Sequence, residues 1–344
     1  MTPLRAPYPF FGGKRRVADV VWRAFGDVQN YVEPFLGSGA VLLGRPQPFN
    51  GVETCNDADG LVSNFWRSIK HSPEATAEWA DWPVNENDLH ARHAWLVAHM
   101  SDLPARLEGD PDWHDPKIAG WWVWGICNWI GGEFCSGKGP WSAVDGKLVN
   151  DGDAGQGIKR QLVHLGDAGQ GINRKRVPLG GGGTAYGLGI TPKSTDQIYE
   201  WFAALSERLR RVRVCSGDWS RVCGPTVTFK HGLTGVFLDP PYSAEAGRYP
   251  SVYRNESLTV ANDARKWAIE AGRRADMRIA LCGYEGEHDM PADWQCHAWK
   301  APGGYGSQSD DGIGRANAHR ERIWFSPACL QIDEQLDLFS DAAQ

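Results

Sequence analysis

The chain has 344 residues and a formal net charge of −6, which suits one large domain or two ordinary ones with a substantial buried core. No apolar run reaches the roughly 18 residues of a membrane-spanning helix, and no signal-like segment follows Met1, so we expect a cytoplasmic protein. Eight scattered cysteines without a Cys-x-x-Cys pair argue against a zinc site and a disulfide framework. We expect reduced thiols and no metal.

Helices and strands are predicted to alternate at the beginning of the chain. Apolar residues at helical spacing mark helices at about 17–25, from 40 onward, and at about 61–69. Short apolar runs predict strands at 31–33 and 51–55. Gly26 is placed to end the first helix.

The alternation stops near residue 66, where a segment rich first in tryptophan and then in glycine begins. It resumes near residue 195. The predicted later helices lie at 198–209 and 264–271, and the predicted strands at 212–215, 236–238 and 278–282. Two closing segments, 295–300 and 320–325, are expected to pair antiparallel at one edge of the sheet.

This pattern predicts an α/β fold with a mostly parallel, doubly wound sheet and one insertion. The expected parts are a first segment of the α/β domain at 1–65, the insertion at 66–194, a second segment at 195–330 and a tail at 331–344.

The insertion contains a near-repeat, in which residues 152–160 are similar to residues 166–174. The short period excludes a solenoid and favours two similar turns. Both copies end in basic or amide side chains, which suit phosphates and base edges; a solvated charged loop is the alternative. The residues expected to contact nucleic acid are Lys159, Arg160, Asn173, Arg174, Lys175 and Arg176.

A glycine turn after the first strand predicts a site for a nucleoside cofactor. Residues 33–40 read Glu-Pro-Phe-Leu-Gly-Ser-Gly-Ala, and the glycines let backbone amides approach an anionic group. Asp57 ends the next strand, where an acid commonly holds ribose hydroxyls. Asp218 and Trp219 follow a later strand and offer an acceptor and a ring to an adenine. The segment 10–14, Phe-Phe-Gly-Gly-Lys, lacks the spacing of a phosphate loop.

The most informative segment is Asp239-Pro240-Pro241-Tyr242, which follows the apolar run 235–238. It is therefore predicted at the carboxyl end of a buried strand, where open α/β sheets bind ligands. Asp239 and the Pro240 carbonyl are acceptors for an exocyclic amine, the prolines fix the backbone, and Tyr242 offers a stacking face. The alternative is an ordinary strand exit into a Pro-Pro turn.

The segments 10–14, 33–39, 56–57 and 239–242, in this order, resemble the Dam-like (alpha-group) DNA adenine-N6 methyltransferases. The segment 320–327 looks like phage-type members. The resemblance covers about 8–70 and 197–327. It implies a class I methyltransferase (Rossmann-like) fold with helices on both faces of a mixed sheet, S-adenosylmethionine as cofactor, double-stranded DNA as partner and a target-recognition insertion. The insertion is longer than in most Dam-like members, so no GATC target is inferred.

The resemblance also implies roles for single residues. Asp57 would bind the ribose, and Asp218 and Trp219 the adenine of the cofactor. The other residues expected around the cofactor are Phe10, Gly13, Lys14, Glu33, Pro34, Phe35, Gly37, Ser38 and Gly39. The target base would be held by Asp239, Pro240, Pro241 and Tyr242.

Several alternatives remain open. Cytosine-N4 methylation uses the same amine chemistry, although its motif more often begins with serine. An RNA guanine-N2 or protein-glutamine methyltransferase can carry a similar motif, but the Gly-Gly-Lys segment speaks against it. A catalytically inactive DNA-binding protein of the same fold is disfavoured, because Asp57, Asp239 and the glycine turn are intact. Cytosine-C5 methylation needs a cysteine nucleophile, and no Pro-Cys dipeptide occurs.

Overall fold

A computed structural model of the chain describes residues 4–10, 14–129, 134–135, 141–144, 147–150, 192–242, 259–299 and 319–332. The helices are α1 (Ala18–Phe25), α2 (Ala40–Leu43), α3 (Gly60–His71), α4 (Pro73–Ala80), α5 (Glu86–His99), α6 (Leu103–Gly109), α7 (Pro116–Asn128), α8 (Pro192–Leu209) and α9 (Val260–Ala271). The strands are β1 (Asn30–Glu33), β2 (Val52–Asp57), β3 (Trp141–Val144), β4 (Lys147–Asn150), β5 (Val212–Ser216), β6 (Thr234–Leu238), β7 (Met277–Tyr284), β8 (Gln295–Ala298) and β9 (Glu321–Phe325). A 3-10 turn at Lys14–Val17 leads into α1.

Seven of the described strands form one mixed sheet in the order β5-β2-β1-β6-β7-β9-β8. The strands from β5 to β7 in this order run parallel, and β9 lies antiparallel between β7 and β8. The predicted α/β class is confirmed, and the architecture is compatible with a Rossmann-like fold. The predicted antiparallel pairing of the closing segments is also confirmed, and β9 has a second antiparallel partner in β7.

The sheet is covered on both faces. Every residue of β6 is buried, as expected of a central strand that packs on both sides. Neighbouring residues of a strand face opposite sides, and β1 shows this alternation. Tyr31 lies in a core cluster with residues of α1, α3 and α8, whereas Val32 lies in a cluster with residues of α9. Helices therefore pack against both faces.

The first helix forms as its apolar stripe predicts. Val20, Val21 and Ala24 are buried on α1, and Val17 is buried in the turn before it. Gly26 ends the helix with a φ of 56°, a backbone conformation that favours glycine. Its N–H donates to the Trp22 carbonyl at 2.8 Å and so satisfies one of the last free acceptors of the helix.

The helices α4 to α7 occupy the first part of the expected insertion. Ala77, Leu96 and Trp122 from these helices lie in the same core cluster as residues of α3 and α8. The expected boundaries after residues 65 and 194 fall inside α3 and α8. Strands β3 and β4 form a separate antiparallel hairpin. The near-repeat at 152–174 lies outside the described residues.

Within the described ranges, no helix is long and apolar enough to cross a membrane. The same residues contain no group of three or more His, Cys, Asp or Glu side chains placed to hold a metal ion. All eight cysteines lie in the described residues; Cys296 is exposed and Cys215 partly buried, while the others are buried.

Candidate active site at the carboxyl edge of the sheet

Several of the predicted site residues lie at the carboxyl edge of the central strands. β1 ends at Glu33, β2 ends at Asp57, and Asp239 directly follows β6. β1 is the parallel neighbour of both β2 and β6. After β1 the chain first adds strands on one side and then continues with β6 on the other, so strand order reverses between β1 and β6. Ligands of α/β proteins bind at such a reversal.

Asp239 is paired with a lysine from the beginning of the chain. Lys14 Nζ lies 2.9 Å from Asp239 Oδ1 and donates a hydrogen bond to Tyr242 Oη at 3.0 Å. The Lys14 side chain is only 4% exposed, and a buried ammonium requires such partners. Lys14 was expected around the cofactor, and the structure brings its ammonium beside the two end residues of the Asp-Pro-Pro-Tyr motif.

Glu321, the first residue of β9, extends this arrangement. Tyr242 Oη donates to Glu321 Oε2 at 2.7 Å, and Lys14 Nζ lies 4.0 Å from the same oxygen. The Tyr242 ring packs edge to face against Tyr284, with ring centroids 4.5 Å apart. We call Lys14, Asp239, Tyr242 and Glu321 the polar quartet. Glu321 was not among the predicted site residues.

Burial and charge act against each other in the polar quartet. Burial raises the pKa of Asp239 and of Glu321, while the positive charge of Lys14 opposes both shifts. Burial alone would lower the pKa of Lys14, but the charges of Asp239 and Glu321 outweigh it and the net shift is upward. The quartet therefore holds one cation between two carboxyl groups that are weaker acids than usual.

Asp239 is the more accessible of the two carboxyl groups. Its side chain is 21% exposed, against 6% for Glu321. Pro240 is buried, while Pro241 and Tyr242 are partly buried. Each proline ring fixes its own φ, which limits the paths the chain can take out of β6. Asp239 is thus the carboxylate of the quartet that an incoming amine can reach.

The glycine turn after β1 is held by side chains from three segments. The Gly37 N–H donates to Asp57 Oδ2 at 2.8 Å. The Gly37 carbonyl accepts from Tyr8 Oη at 2.8 Å and from Trp66 Nε1 at 3.0 Å. Gly37 has a φ of 47°, and a Cβ there would lie 2.5 Å from Phe10 Cε1. Only glycine fits this conformation and this close approach of Phe10.

Asp57 connects the glycine turn to the start of α3. Its Oδ2 accepts from the Gly37 N–H and its Oδ1 from the Asp59 N–H, both at 2.8 Å. Burial raises the pKa of Asp57 to about 7; the Asp59 charge adds to this rise and the two N–H groups oppose it. Each carboxylate oxygen has a second lone pair. Asp57 can therefore support the turn and still accept ribose hydroxyls.

Glu33 is buried and hydrogen-bonded within the protein. Its Oε2 accepts from Tyr31 Oη at 2.8 Å and from the Leu42 N–H at 3.1 Å. Burial raises the pKa of Glu33 to about 8, although both hydrogen bonds oppose the rise. Glu33 thus ties β1 to α2. The neighbouring Pro34 carbonyl accepts from Asn56 Nδ2 at 3.1 Å, which ties β1 to β2.

An aromatic pair lies between the ends of β1 and β5. Phe35 and Trp219 are stacked with ring centroids 5.8 Å apart and an interplanar angle of 27°. Asp218 begins the 3-10 turn after β5, and its Oδ1 accepts from the Ser220 N–H at 2.9 Å. Trp219 also packs edge to face against Trp267 of α9. The pair offers apolar ring surface beside an exposed carboxylate, which suits a flat nucleobase.

Of the remaining predicted site residues, some lie in the described part of the chain and others lie outside it. Ser38 is partly exposed in the glycine turn, and Gly39 has a φ of 59° at the start of α2. Gly13 lies outside the described residues. So do the residues expected to contact DNA, namely Lys159, Arg160, Asn173, Arg174, Lys175 and Arg176.

No protein-family model matches the chain, and a search of curated proteins found no match. Function is therefore inferred from the motifs in the sequence and from the geometry of the site.

Proposed function

We propose that the protein transfers the methyl group of S-adenosylmethionine to the N6 amine of an adenine flipped out of double-stranded DNA. The observation that carries this proposal is the placement of Asp239: a reachable carboxylate at the end of a central strand, paired with the buried Lys14 and followed by Pro-Pro-Tyr. The resemblance of the four motif segments to Dam-like enzymes supports it, as does the reversal of strand order at the site.

The described fold is compatible with a class I methyltransferase. On this proposal the sheet and its flanking helices form the catalytic part, and the segment 66–194 carries target recognition. The helices α4 to α7 share the core of the catalytic part. Recognition is accordingly assigned to the later part of the segment, which contains the basic residues from Lys159 to Arg176.

The residues at the ends of β1, β2 and β5 fit a nucleoside cofactor. Asp57 has acceptor capacity for the ribose, and Phe35 and Trp219 provide ring surface for the adenine. The glycine turn, closely covered by Phe10, leaves no room for side chains at Gly37. S-adenosylmethionine, when bound, supplies an electrophilic methyl group.

The target amine needs help because its lone pair is delocalised into the adenine ring. Asp239 Oδ and the Pro240 carbonyl act by accepting the two amine hydrogens, which localises the lone pair and orients it. The same acceptors stabilise the positive charge that develops on nitrogen. Correct positioning of the reacting groups supplies several kcal/mol of barrier reduction, up to ~7–11 kcal/mol in well-aligned cases.

Tyr242 compensates part of the cost of base flipping. Extrusion of a base costs a few kcal/mol of unstacking, and stacking on an aromatic ring returns ~1–3 kcal/mol. The hydroxyl of Tyr242 is held by Lys14 and Glu321, so its ring has a fixed orientation. A fixed ring presents its face without a further loss of side-chain entropy.

Transfer of a radiolabelled methyl group tests this function. The purified protein is incubated with methyl-labelled S-adenosylmethionine and, separately, with duplex DNA, RNA or a protein extract. We expect label in DNA only, and none with the Asp239→Asn variant; Asp276→Asn, which changes an exposed aspartate at a turn, is the matched control. Label confined to RNA or protein, or no label in any acceptor, would refute the proposal.

A further inference from the structure

We propose that the polar quartet is a proton relay, and that Glu321 is the final acceptor of the proton that the methylated amine loses. This inference rests on the proposed function, because the proton originates on the target base. Glu321 would then be a member of the reaction path and not only a support for Tyr242.

The contacts of the quartet form one unbroken chain. Asp239 Oδ1 lies 2.9 Å from Lys14 Nζ, Lys14 Nζ donates to Tyr242 Oη at 3.0 Å, and Tyr242 Oη donates to Glu321 Oε2 at 2.7 Å. All three distances are within hydrogen-bonding range. The Lys14 ammonium donates both to Asp239 and to Tyr242, and Tyr242 donates onward to Glu321. The chain leads from the reachable carboxylate to the buried one.

The relay balances in protons and charge. Methyl transfer leaves a positive charge on the amine nitrogen, whose N–H bond breaks as its proton passes to the Asp239 carboxylate. Tyr242 gives its hydroxyl proton to Glu321 and takes one from the Lys14 ammonium. The Lys14 amine formed in this way has a free lone pair and takes the proton from Asp239. At the end Asp239 is again a carboxylate, Lys14 an ammonium and Tyr242 a neutral phenol, and Glu321 carries the proton.

The surroundings of Glu321 favour the protonated form of its carboxyl group. Burial raises the pKa of Glu321, and nearby Asp239 and Glu287 add to the rise while Lys14 opposes it, so its carboxylate binds a proton more readily than an exposed one. The other titratable groups facing it come from β7. Burial raises the pKa of Cys282 well above its usual value and that of Tyr284 to about 12, so both are neutral at neutral pH.

Two conservative variants separate a relay from a purely structural role. In Glu321→Gln the amide oxygen still accepts the hydrogen bond of Tyr242, but the side chain takes up no proton. In Tyr242→Phe the ring for stacking remains, while the link between Lys14 and Glu321 is cut. If Glu321 only held Tyr242 in place, the glutamine variant would act like the wild type.

Single-turnover methylation of duplex DNA by the full-length protein is the test. We expect each variant to lose on the order of 10- to 100-fold in rate, with cofactor and DNA affinities unchanged. The double variant should lose no more than the slower single variant, because both changes break the same chain. Glu285→Gln and Tyr199→Phe are matched controls outside the quartet, and we expect wild-type rates for both.

The pH dependence gives a second readout. If both Asp239 and Glu321 must be ionised, the logarithm of the wild-type rate falls on the acid side with a slope approaching two. In Glu321→Gln that slope should fall to about one. Thermal unfolding checks that this variant folds, and Tyr242→Phe carries the test if it does not.

The outcomes separate the relay from the function beneath it. An active wild type with unaltered rates in both single variants would overturn the relay and leave the methyltransferase proposal standing. Losses that multiply in the double variant would overturn it as well. A wild-type protein that transfers no methyl group to DNA would refute both proposals.

Discussion

The Lys14 ammonium lies 2.9 Å from the Asp239 carboxylate, although the two residues are far apart in the sequence. Lys14 precedes α1 and Asp239 follows β6. The segment 10–14 lacks the features of a phosphate loop, and in the structure its lysine is instead a buried counter-charge for Asp239 and Glu321. Two motifs that the sequence separates by more than 200 residues thus meet in one site.

Replacement of Lys14 by methionine should move the pH dependence of the proposed methyl transfer to higher pH. The positive charge of Lys14 lowers the pKa of both Asp239 and Glu321, so its removal raises both. Activity requires the ionised carboxylates, and the acid limb of the pH–rate profile therefore moves upward. On a limb with a slope of two, a shift of one pH unit reduces the rate by about 100-fold.

Methylation rates measured from about pH 5 to pH 9 check this expectation. Lys14→Arg keeps the positive charge, so its acid limb should move less than that of the methionine variant. An acid limb at the same pH in the methionine variant would contradict the proposed electrostatics of the quartet.

Asp57→Ala should weaken binding of S-adenosylmethionine. The ribose hydroxyls lose a charged acceptor, and the Gly37 N–H loses the partner that fixes the glycine turn. The expected cost of ~1.5–3 kcal/mol corresponds to a loss of roughly 10- to 150-fold in affinity. Isothermal titration calorimetry measures it, with Asp276→Ala as the control. Wild-type affinity in the variant, or equal binding of a nicotinamide dinucleotide by the wild type, would refute this cofactor site.

Glu33→Gln should change how stability depends on pH. The pKa of Glu33 rises from about 4.5 to about 8 on folding, so between these values the folded state holds a proton that the unfolded chain has released. This contribution to stability is complete below about pH 4.5 and disappears as the pH rises to about 8. The glutamine does not titrate. The free energy of unfolding of the variant should therefore rise relative to that of the wild type, by roughly 3–5 kcal/mol across this pH window.

Urea unfolding at several pH values measures the difference. Glu78→Gln, which changes an exposed glutamate on α4, should follow the wild type throughout. A constant difference in unfolding free energy between Glu33→Gln and the wild type would contradict the raised pKa.

The parts of the site that the sequence predicts are those that depend on local pattern. The apolar run before Asp239 identified β6, and the spacing from the glycine turn to Asp57 identified the end of β2. Glu321 was missed because its position depends on β9 pairing between β7 and β8, and no local pattern specifies that register. An acidic residue near the start of the predicted closing segment 320–325 was the available signal.

Lys14 and α2 show two further limits of local reasoning. Nothing near Lys14 in the sequence indicates that its charge will be buried against Asp239, since the pairing is long-range. The helix expected from Ala40 is only one turn long and ends at Leu43. Gly44 follows it, and Pro46 disfavours the helical conformation of Arg45.

Replacement of Arg174, Lys175 and Arg176 together by alanine should weaken DNA binding. These residues lie outside the described part of the chain, and the prediction comes from the sequence alone. Removing one phosphate contact flattens the salt dependence of binding by about 0.9, so the slope of log K against log salt should fall by up to about three. Cofactor affinity should stay unchanged.

Fluorescence anisotropy with labelled duplex DNA at several salt concentrations measures the slope. Loss of sequence preference along with affinity would assign a base-edge contact to one of these side chains or to Asn173. If affinity and slope were both unaltered, the segment would be a solvated loop and DNA contacts would lie elsewhere.

Identification of the modified base tests the central claim most directly. Duplex DNA is treated with the protein and S-adenosylmethionine, digested to nucleosides and analysed by mass spectrometry. We predict N6-methyladenine in the wild-type reaction and none in the Asp239→Ala reaction, with cofactor affinity of the variant largely intact. N4-methylcytosine as the only product, or no methylated base, would contradict the assignment of this site as an adenine-N6 methyltransferase, and Asp239→Ala activity within tenfold of wild type would contradict the role of its carboxylate.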